Sequence, residues 1–213
     1  MADVRAVLFD FSGTLASCEA RDAWFTGMGL DGAQRAEVMD RLTHPTASVA
    51  HHAWAHRDLD PALHREAYLH VLRASGLADE HAEELYRRVT DPAEWAAYPD
   101  TVFVLKSLRQ NGIRTAVVSN IAWDIRSVLA AAEVDEFVLS FEVGAAKPDT
   151  RIFTTALDRL GVAADQTLMI GDSEENDGAA RELGCSFALV DPLPISRRPT
   201  GLIDALSASG VPL

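Results

Sequence analysis

Asp10 closes an apolar run over residues 4–9 and so puts a carboxylate where a buried strand should meet solvent. Two more carboxylates, Asp172 and Asp177, follow another apolar run at 167–170. Acids at the ends of two buried strands can share one hard cation, and hard cations prefer oxygen ligands. A third run ends in Ser119-Asn120, a hydroxyl and an amide, and Lys147 sits in the loop sequence Ala145-Ala146-Lys147-Pro148-Asp149. These residue types point to a metal-dependent enzyme.

Taken in order, Asp10-Phe11-Ser12-Gly13-Thr14-Leu15, Val117-Val118-Ser119-Asn120, the Lys147 loop and the segment from Gly171 to Asp177 resemble the four motifs of the haloacid dehalogenase-like hydrolase superfamily. The resemblance spans residues 10–177 and leaves only the tail outside. It implies a phosphatase-type enzyme acting on a small phosphorylated metabolite, with Asp10 attacking phosphorus to form an aspartyl-phosphate. That covalent step divides one hard displacement into two easier ones. It further implies Mg2+ held by Asp10, Asp172 and the backbone carbonyl of Ser12. Asp177 would stand behind the metal, accepting a hydrogen bond from Lys147 or from a metal-bound water. The Lys147 ammonium would neutralise both Asp10 and the transferred group. Ser119 and Asn120 would donate to phosphoryl oxygens, Gly13 would let the backbone come close, and Thr14 would hold the loop or donate to phosphate.

Ser12 departs from the pattern. The phosphatases of the superfamily carry a second Asp two residues after the nucleophile, where it protonates the leaving alcohol and later activates water. General acid-base help of that kind is worth about 10²–10⁴ in rate. Three readings stay open. The enzyme uses leaving groups that depart unaided, such as acyl or aryl phosphates, or borrows an acid from the cap; it is a 2-haloacid dehalogenase-like hydrolase; or it resembles the phosphonate-cleaving branch. The last needs a cap lysine, and no lysine lies between residues 15 and 105. Dehalogenases need no metal, yet Asp172 and Asp177 are kept. A weakly active ligand-binding protein on the same fold is the alternative from another class.

The elements that must position these residues follow from hydrophobic pattern. Apolar runs at 4–9, 115–118, 137–139, 167–170 and 187–190 are short and uniformly apolar, which suits parallel strands covered on both faces. Helices are expected between them at 99–110, 123–132, 150–160 and 176–183, with one short helix in the tail after Pro192. The alternation implies an α/β fold, a doubly wound parallel sheet of Rossmann-like kind with ligands at the carboxyl ends of the strands.

Composition changes between residues 18 and 94. All seven histidines fall between 44 and 81, and the chain's only two lysines, Lys106 and Lys147, lie beyond. The segment is expected to be an all-helical cap inserted into a core made of 1–17 and 95–213. Asp60-Pro61 starts a helix that Gly76 stops, with Leu63, Ala67, Val71 and Ala74 on its face. Further helices are expected at 79–89 and 32–42. Arg21, Arg57 and Arg65 could meet the far part of a substrate, and His52 and His56 flank Trp54 at helical spacing.

Thirty-two acidic residues against 19 basic give a net charge of −13, a field that repels nucleic acid and anionic membrane. No apolar stretch approaches the ~20 residues of a membrane span. Asp10 interrupts the one early apolar run, so no signal peptide is expected and the expected setting is cytoplasmic. Neither Cys18 nor Cys185 has arginine at the sixth following position, where Trp24 and Asp191 stand, so thiol phosphatase chemistry is disfavoured. The oligomeric state is left open.

Overall fold

Successive side chains of a strand point to opposite faces, so a run apolar at every position must be covered on both sides. The computed structural model, which describes residues 4–19, 22–43 and 52–213, contains such strands. The strands are Ala6–Phe9 (β1), Ala16–Ser17 (β2), Ala96–Ala97 (β3), Arg114–Ser119 (β4), Glu136–Leu139 (β5), Thr167–Gly171 (β6) and Ser186–Leu189 (β7). The helices are Gly32–Thr43 (α1), His52–His56 (α2), Pro61–Ala74 (α3), Asp79–Val89 (α4), Thr101–Gln110 (α5), Ser140–Val143 (α6), Thr150–Leu160 (α7) and Gly201–Ala208 (α8). Five strands form one parallel sheet in the order β5-β4-β1-β6-β7, while β2 and β3 pair antiparallel beside it.

Alternation divides β1 between two layers. Val7 and Phe9 pack with Val104, Leu105 and Leu108 of α5 and with Leu202 and Leu206 of α8. Ala6 and Leu8 pack with Ile152, Phe153, Ala156 and Leu160 of α7. The chain runs outward from β1 to β4 and β5, then returns through α7 to β6 on the other side of β1. Such a reversal opens a crevice at the carboxyl ends of the strands. In the helical stretch, Trp24, Phe25, Val38, Leu42, Leu69, Leu72 and Leu85 form a third apolar cluster.

The start of α3 is as the sequence implies: Asp60 Oδ1 accepts from the amides of Ala62 at 2.7 Å and Leu63 at 3.2 Å. Its buried face is different. His64, Ala67, Leu69, Val71 and Leu72 are buried while Ala74 is exposed, because the helix packs on more than one neighbour and needs a wide stripe.

Two expected helices are not α-helices. Within 123–132 only Arg126–Leu129 is helical, as a single 3₁₀ turn. The Asp124 carboxylate accepts from the Arg126 amide at 3.0 Å, a local bond that competes with helix propagation. Residues Gly178–Leu183 also form a 3₁₀ segment, bounded by Gly178 and Gly184, the latter left-handed. The edge strand β7 is half-covered, with Leu189 exposed, because an edge has a neighbour on one side only.

The tail forms α8 and is tied back by Asp100. This residue precedes α5 but does not cap it; its buried Oδ2 accepts from the amides of Leu202 at 2.8 Å and Ile203 at 3.2 Å. Asp100→Ala leaves those first-turn amides without a partner, and an unsatisfied buried donor costs about 1–3 kcal/mol. Denaturant unfolding is expected to show a loss of that size, with early hydrogen exchange confined to α8.

Candidate functional site

The sheet register brings together residues that the sequence keeps far apart. Phe9 pairs with Val117 on one side and Ile170 on the other, and the Asp10 amide donates to the Ile170 carbonyl at 2.9 Å. Beyond Asp10 the chain turns tightly: the amides of Leu15 and Ala16 both donate to the Phe11 carbonyl at 2.9 Å. Gly13 sits in this turn with φ of 75°, and a Cβ there would collide with the Asp172 carboxylate. The close approach expected of Gly13 is therefore to the protein's own second acid. Phe11 is buried, with its ring 5.0 Å from Trp95 and 6.3 Å from Trp123, so the turn rests on an aromatic floor.

Lys147 Nζ lies 2.6 Å from Asp10 Oδ1 and 2.6 Å from Asp177 Oδ1, with its side chain almost wholly buried. Its backbone is clamped by one side chain. The Asn120 Oδ1 accepts from the Lys147 amide at 2.7 Å, and Asn120 Nδ2 donates to the Lys147 carbonyl at 2.8 Å. The Asn120 amide, expected to face phosphate, is thus engaged in placing Lys147. Asp177 Oδ2 accepts from the Ser173 amide at 3.0 Å. A Cβ at Gly171 would enter the Asp177 carboxylate, so the last residue of β6 has to be glycine for the acid to pass.

Asp10, Asp172 and Asp177 offer carboxylate oxygens within 4.8 Å of one another, and among the described residues they are the group of metal-ligating side chains that could hold an ion. Protein donors already occupy both oxygens of Asp177, whereas Asp172 is the more open acid. Three carboxylates against one ammonium leave an excess of negative charge that a divalent cation would balance, and the donor set is all oxygen. Burial, the largest effect, pushes the Asp10 carboxyl up to about 7; Lys147 opposes it, and the charges of Asp177 and Asp172 reinforce it. Burial and then Asp177 also raise Asp172. Lys147 stays an ammonium: desolvation works against its charge, but the two carboxylates in contact with it outweigh that and raise its pKa.

The other expected residues are placed as follows. Ser12 is exposed at the rim and Ser119 is buried at the end of β4. Thr14 is fully buried and its hydroxyl lacks a partner, so it lies beneath the turn. Its carbonyl holds the loop, accepting from Arg198 Nη2, while Gly13 O accepts from Arg198 Nη1 at 2.6 Å. Arg198 holds the turn beside Asp10, and sequence reasoning missed it. It is buried, stacks 3.3 Å over the Tyr98 ring and comes from a tail that carries no motif. Arg57 lies 4.5 Å over Trp54, and Arg65 pairs with Glu83 at 2.5 Å on an exposed face. His56 is exposed; Arg21 and the His52 side chain lie outside the described residues. The buried Cys185 thiol is pushed up by burial to about 11, which leaves it inert.

Residues 4–184 match the family model described as haloacid dehalogenase-like hydrolase. Over 118 residues the chain is 36% identical to the haloacid dehalogenase-like hydrolase domain-containing protein 3 of Mus musculus, covering 51% of this chain and 47% of that protein. It is 31% identical over 128 residues to a phosphoserine phosphatase of Thermus thermophilus, covering 57% and 51% respectively. The chain thus spans about half the length of the curated relatives it matches. The crystal structure of a dehalogenase with an intermediate complex superposes with a TM-score of 0.70 at 23% identity, covering 90% of this chain and 86% of that one, a likeness of fold.

Two outcomes follow from the geometry. Gly171→Ala drives a methyl group into the Asp177 carboxylate and is expected to destabilise the protein by about 1–3 kcal/mol in thermal or denaturant unfolding, as overpacking does. Asp10 carries a folded-state pKa above its ordinary 3.8, so the folded protein binds that proton more tightly. Its contribution to stability is complete below 3.8 and is lost as pH rises through about 7. Asp10→Asn cannot ionise; its melting temperature relative to wild type should climb across that window when no divalent cation is present.

Proposed function

The chain belongs to the haloacid dehalogenase-like hydrolase family, and on that footing we propose that it is a Mg2+-dependent phosphatase of small phosphorylated metabolites. The observation that carries this reading is the buried Lys147 ammonium, 2.6 Å from both Asp10 and Asp177, beside the third acid Asp172. Asp10 is the nucleophile: its Oδ attacks phosphorus, the bond to the leaving oxygen breaks, and water then releases phosphate from the aspartyl-phosphate. Lys147 lies where negative charge grows on the transferred group, and its two carboxylate contacts hold it there without reorganisation. Ser119 stands at the end of β4 to donate its hydroxyl. Asn120 and Asp177 act by positioning Lys147, and Arg198 acts by fixing the turn that follows Asp10.

Asp10 and Asp172, with the carbonyl of Ser12, are the groups that would hold the magnesium ion. Magnesium takes few carboxylates and keeps waters, which suits so small a donor set. When bound, it draws the substrate phosphate in and offsets its charge.

Residues 18–94 act in this proposal as a helical cap on a core of 1–17 and 95–213. Cys18, Trp24, Met39, Leu42, Tyr68, Val89 and Trp95 line a cavity of about 200 Å³ at the junction. Trp95 also packs at a tilt against Phe11, next to the nucleophile. Closure of such a cap would exclude water and select the organic part of the substrate. The Thermus thermophilus relative, a phosphoserine phosphatase, supports the same class of reaction. Among the described residues no helix is long and apolar enough to cross a membrane.

A dehalogenase would attack carbon and release halide. The acidic cluster argues against it, since that reaction has no use for a cation site.

The test combines phosphate release from a panel of phosphate esters, with and without Mg2+, and trapping of beryllium fluoride on Asp10. Phosphate release should require Mg2+ and fall on the order of a thousandfold or more in Asp10→Asn. Chloride release from 2-chloropropionate without added metal, and none of phosphate, would overturn the reading.

A further inference from the structure

Breaking a phosphate ester leaves an alkoxide unless a proton reaches the bridging oxygen as the bond breaks. The other groups of the candidate site are poorly suited to give one. Ser12 offers only a hydroxyl, Lys147 is held between two carboxylates, and Asp172 and Asp177 are the acids grouped with Asp10 where a cation would be held.

The helical stretch brings another carboxyl to the same end of the sheet. Residues Arg57–Leu59 form one 3₁₀ turn that packs against α3 and α6. The Asp58 carbonyl accepts from Ser140 Oγ at 2.5 Å, and Ser140 Oγ in turn accepts from the Ile121 amide at 2.9 Å. Ser140 is fully buried at the start of α6, just beyond the carboxyl end of β5. Ile121 follows Asn120, which clamps the Lys147 backbone. Hydrogen bonds and one peptide link therefore connect the Asp58 backbone to the Lys147 loop. The Asp58 side chain is 17% exposed, with Arg57 Nη2 at 3.4 Å.

We propose that Asp58 is the acid that protonates the leaving oxygen and then serves as the base for water. This deepens the phosphatase reading and rests on it. In the first step Asp10 Oδ bonds to phosphorus, the phosphorus–oxygen bond of the ester breaks, and the Asp58 proton passes to the departing oxygen, giving an alcohol and the Asp58 carboxylate. In the second, water loses a proton to Asp58 while its oxygen attacks phosphorus. The bond to Asp10 breaks, phosphate leaves, and both acids return to their starting states.

The environment suits the role. Burial raises the Asp58 carboxyl above its ordinary value, while the charges of Arg57 and Lys147 pull it back. The other groups around the turn are Tyr68 on α3, which hydrogen-bonds Arg57, and His56, which precedes the turn and is exposed. From α6 the facing group is the Ser140 hydroxyl, which does not titrate. His64 is turned to Tyr86 at 3.1 Å, and burial lowers it to about 4, so it stays neutral.

Dependence on the leaving group tests the assignment. In Asp58→Asn, turnover of alkyl phosphates such as glycerol 3-phosphate should fall about a hundredfold or more, while 4-nitrophenyl phosphate, whose leaving group departs unaided, falls only a few fold in single-turnover formation of the Asp10 adduct. Asp58→Glu should restore part of the alkyl rate, and the limb of the wild-type pH profile on which rate falls with rising pH should be missing in Asp58→Asn. Equal losses on both substrate types, or no loss on either, would overturn the role of Asp58. So would a wild-type protein that turns over the aryl ester through Asp10 but no alkyl phosphate, an outcome that leaves the phosphatase reading standing. Absence of any Asp10 adduct with either substrate sinks both.

Discussion

The site depends on one buried cation. An ammonium removed from water carries a desolvation cost of several kcal/mol, which is offset only by well-placed partners. Lys147 has two, Asp10 and Asp177, each at 2.6 Å. Much of the surrounding architecture meets that requirement. Asn120 grips the Lys147 backbone at amide and carbonyl, Gly171 leaves room for the Asp177 carboxylate, and the Ser173 amide takes that acid's other oxygen. Removing one carboxylate would leave buried charge unmatched, so the arrangement holds its members as a set. In the function proposed here, the same ammonium would meet the transferred phosphoryl group.

The turn after Asp10 is fixed from both sides. Below it lie Phe11, Trp95 and Trp123; across it, Arg198 from the tail reaches the carbonyls of Gly13 and Thr14. Asp100 in turn anchors the first turn of the last helix. The tail, which carries no motif, is thereby coupled to the turn that follows Asp10. The Asp58 turn is joined to the sheet by a similarly small number of contacts, chiefly through Ser140. A group held in this way can be close to the chemistry and still belong to a segment whose core is built elsewhere. It offers an answer to the hydroxyl residue at position 12.

The parallel sheet was legible because each strand is apolar at nearly every position, and only a strand covered on both faces tolerates that. The carboxyl-end placement of Asp10, Ser119 and Asp172 followed from the same pattern. The helices at 123–132 and 176–183 were misread because their apolar residues suited a helix, while short-range bonds and bounding glycines, such as the Asp124 turn, decided otherwise. Asn120 was expected to face phosphate; the nature of its partner depended on a loop that lies 27 residues away in the chain. Arg198 had no local signal at all. A basic residue in a proline-rich tail looks like solvated surface until the carbonyls it binds are seen.

The amino-acid order by itself determined which groups carry charge and where strands end, because hydrophobic period and residue type are local properties. It therefore supplied the acids, the lysine and the sheet that gathers them. Only the tertiary structure decided which oxygen each donor meets, that glycines at 13 and 171 make room for carboxylates, and that the Asp58 carbonyl meets Ser140 beyond the end of β5. Those are distances between segments remote in the chain, and they are set by packing and register, which no short window of residues contains.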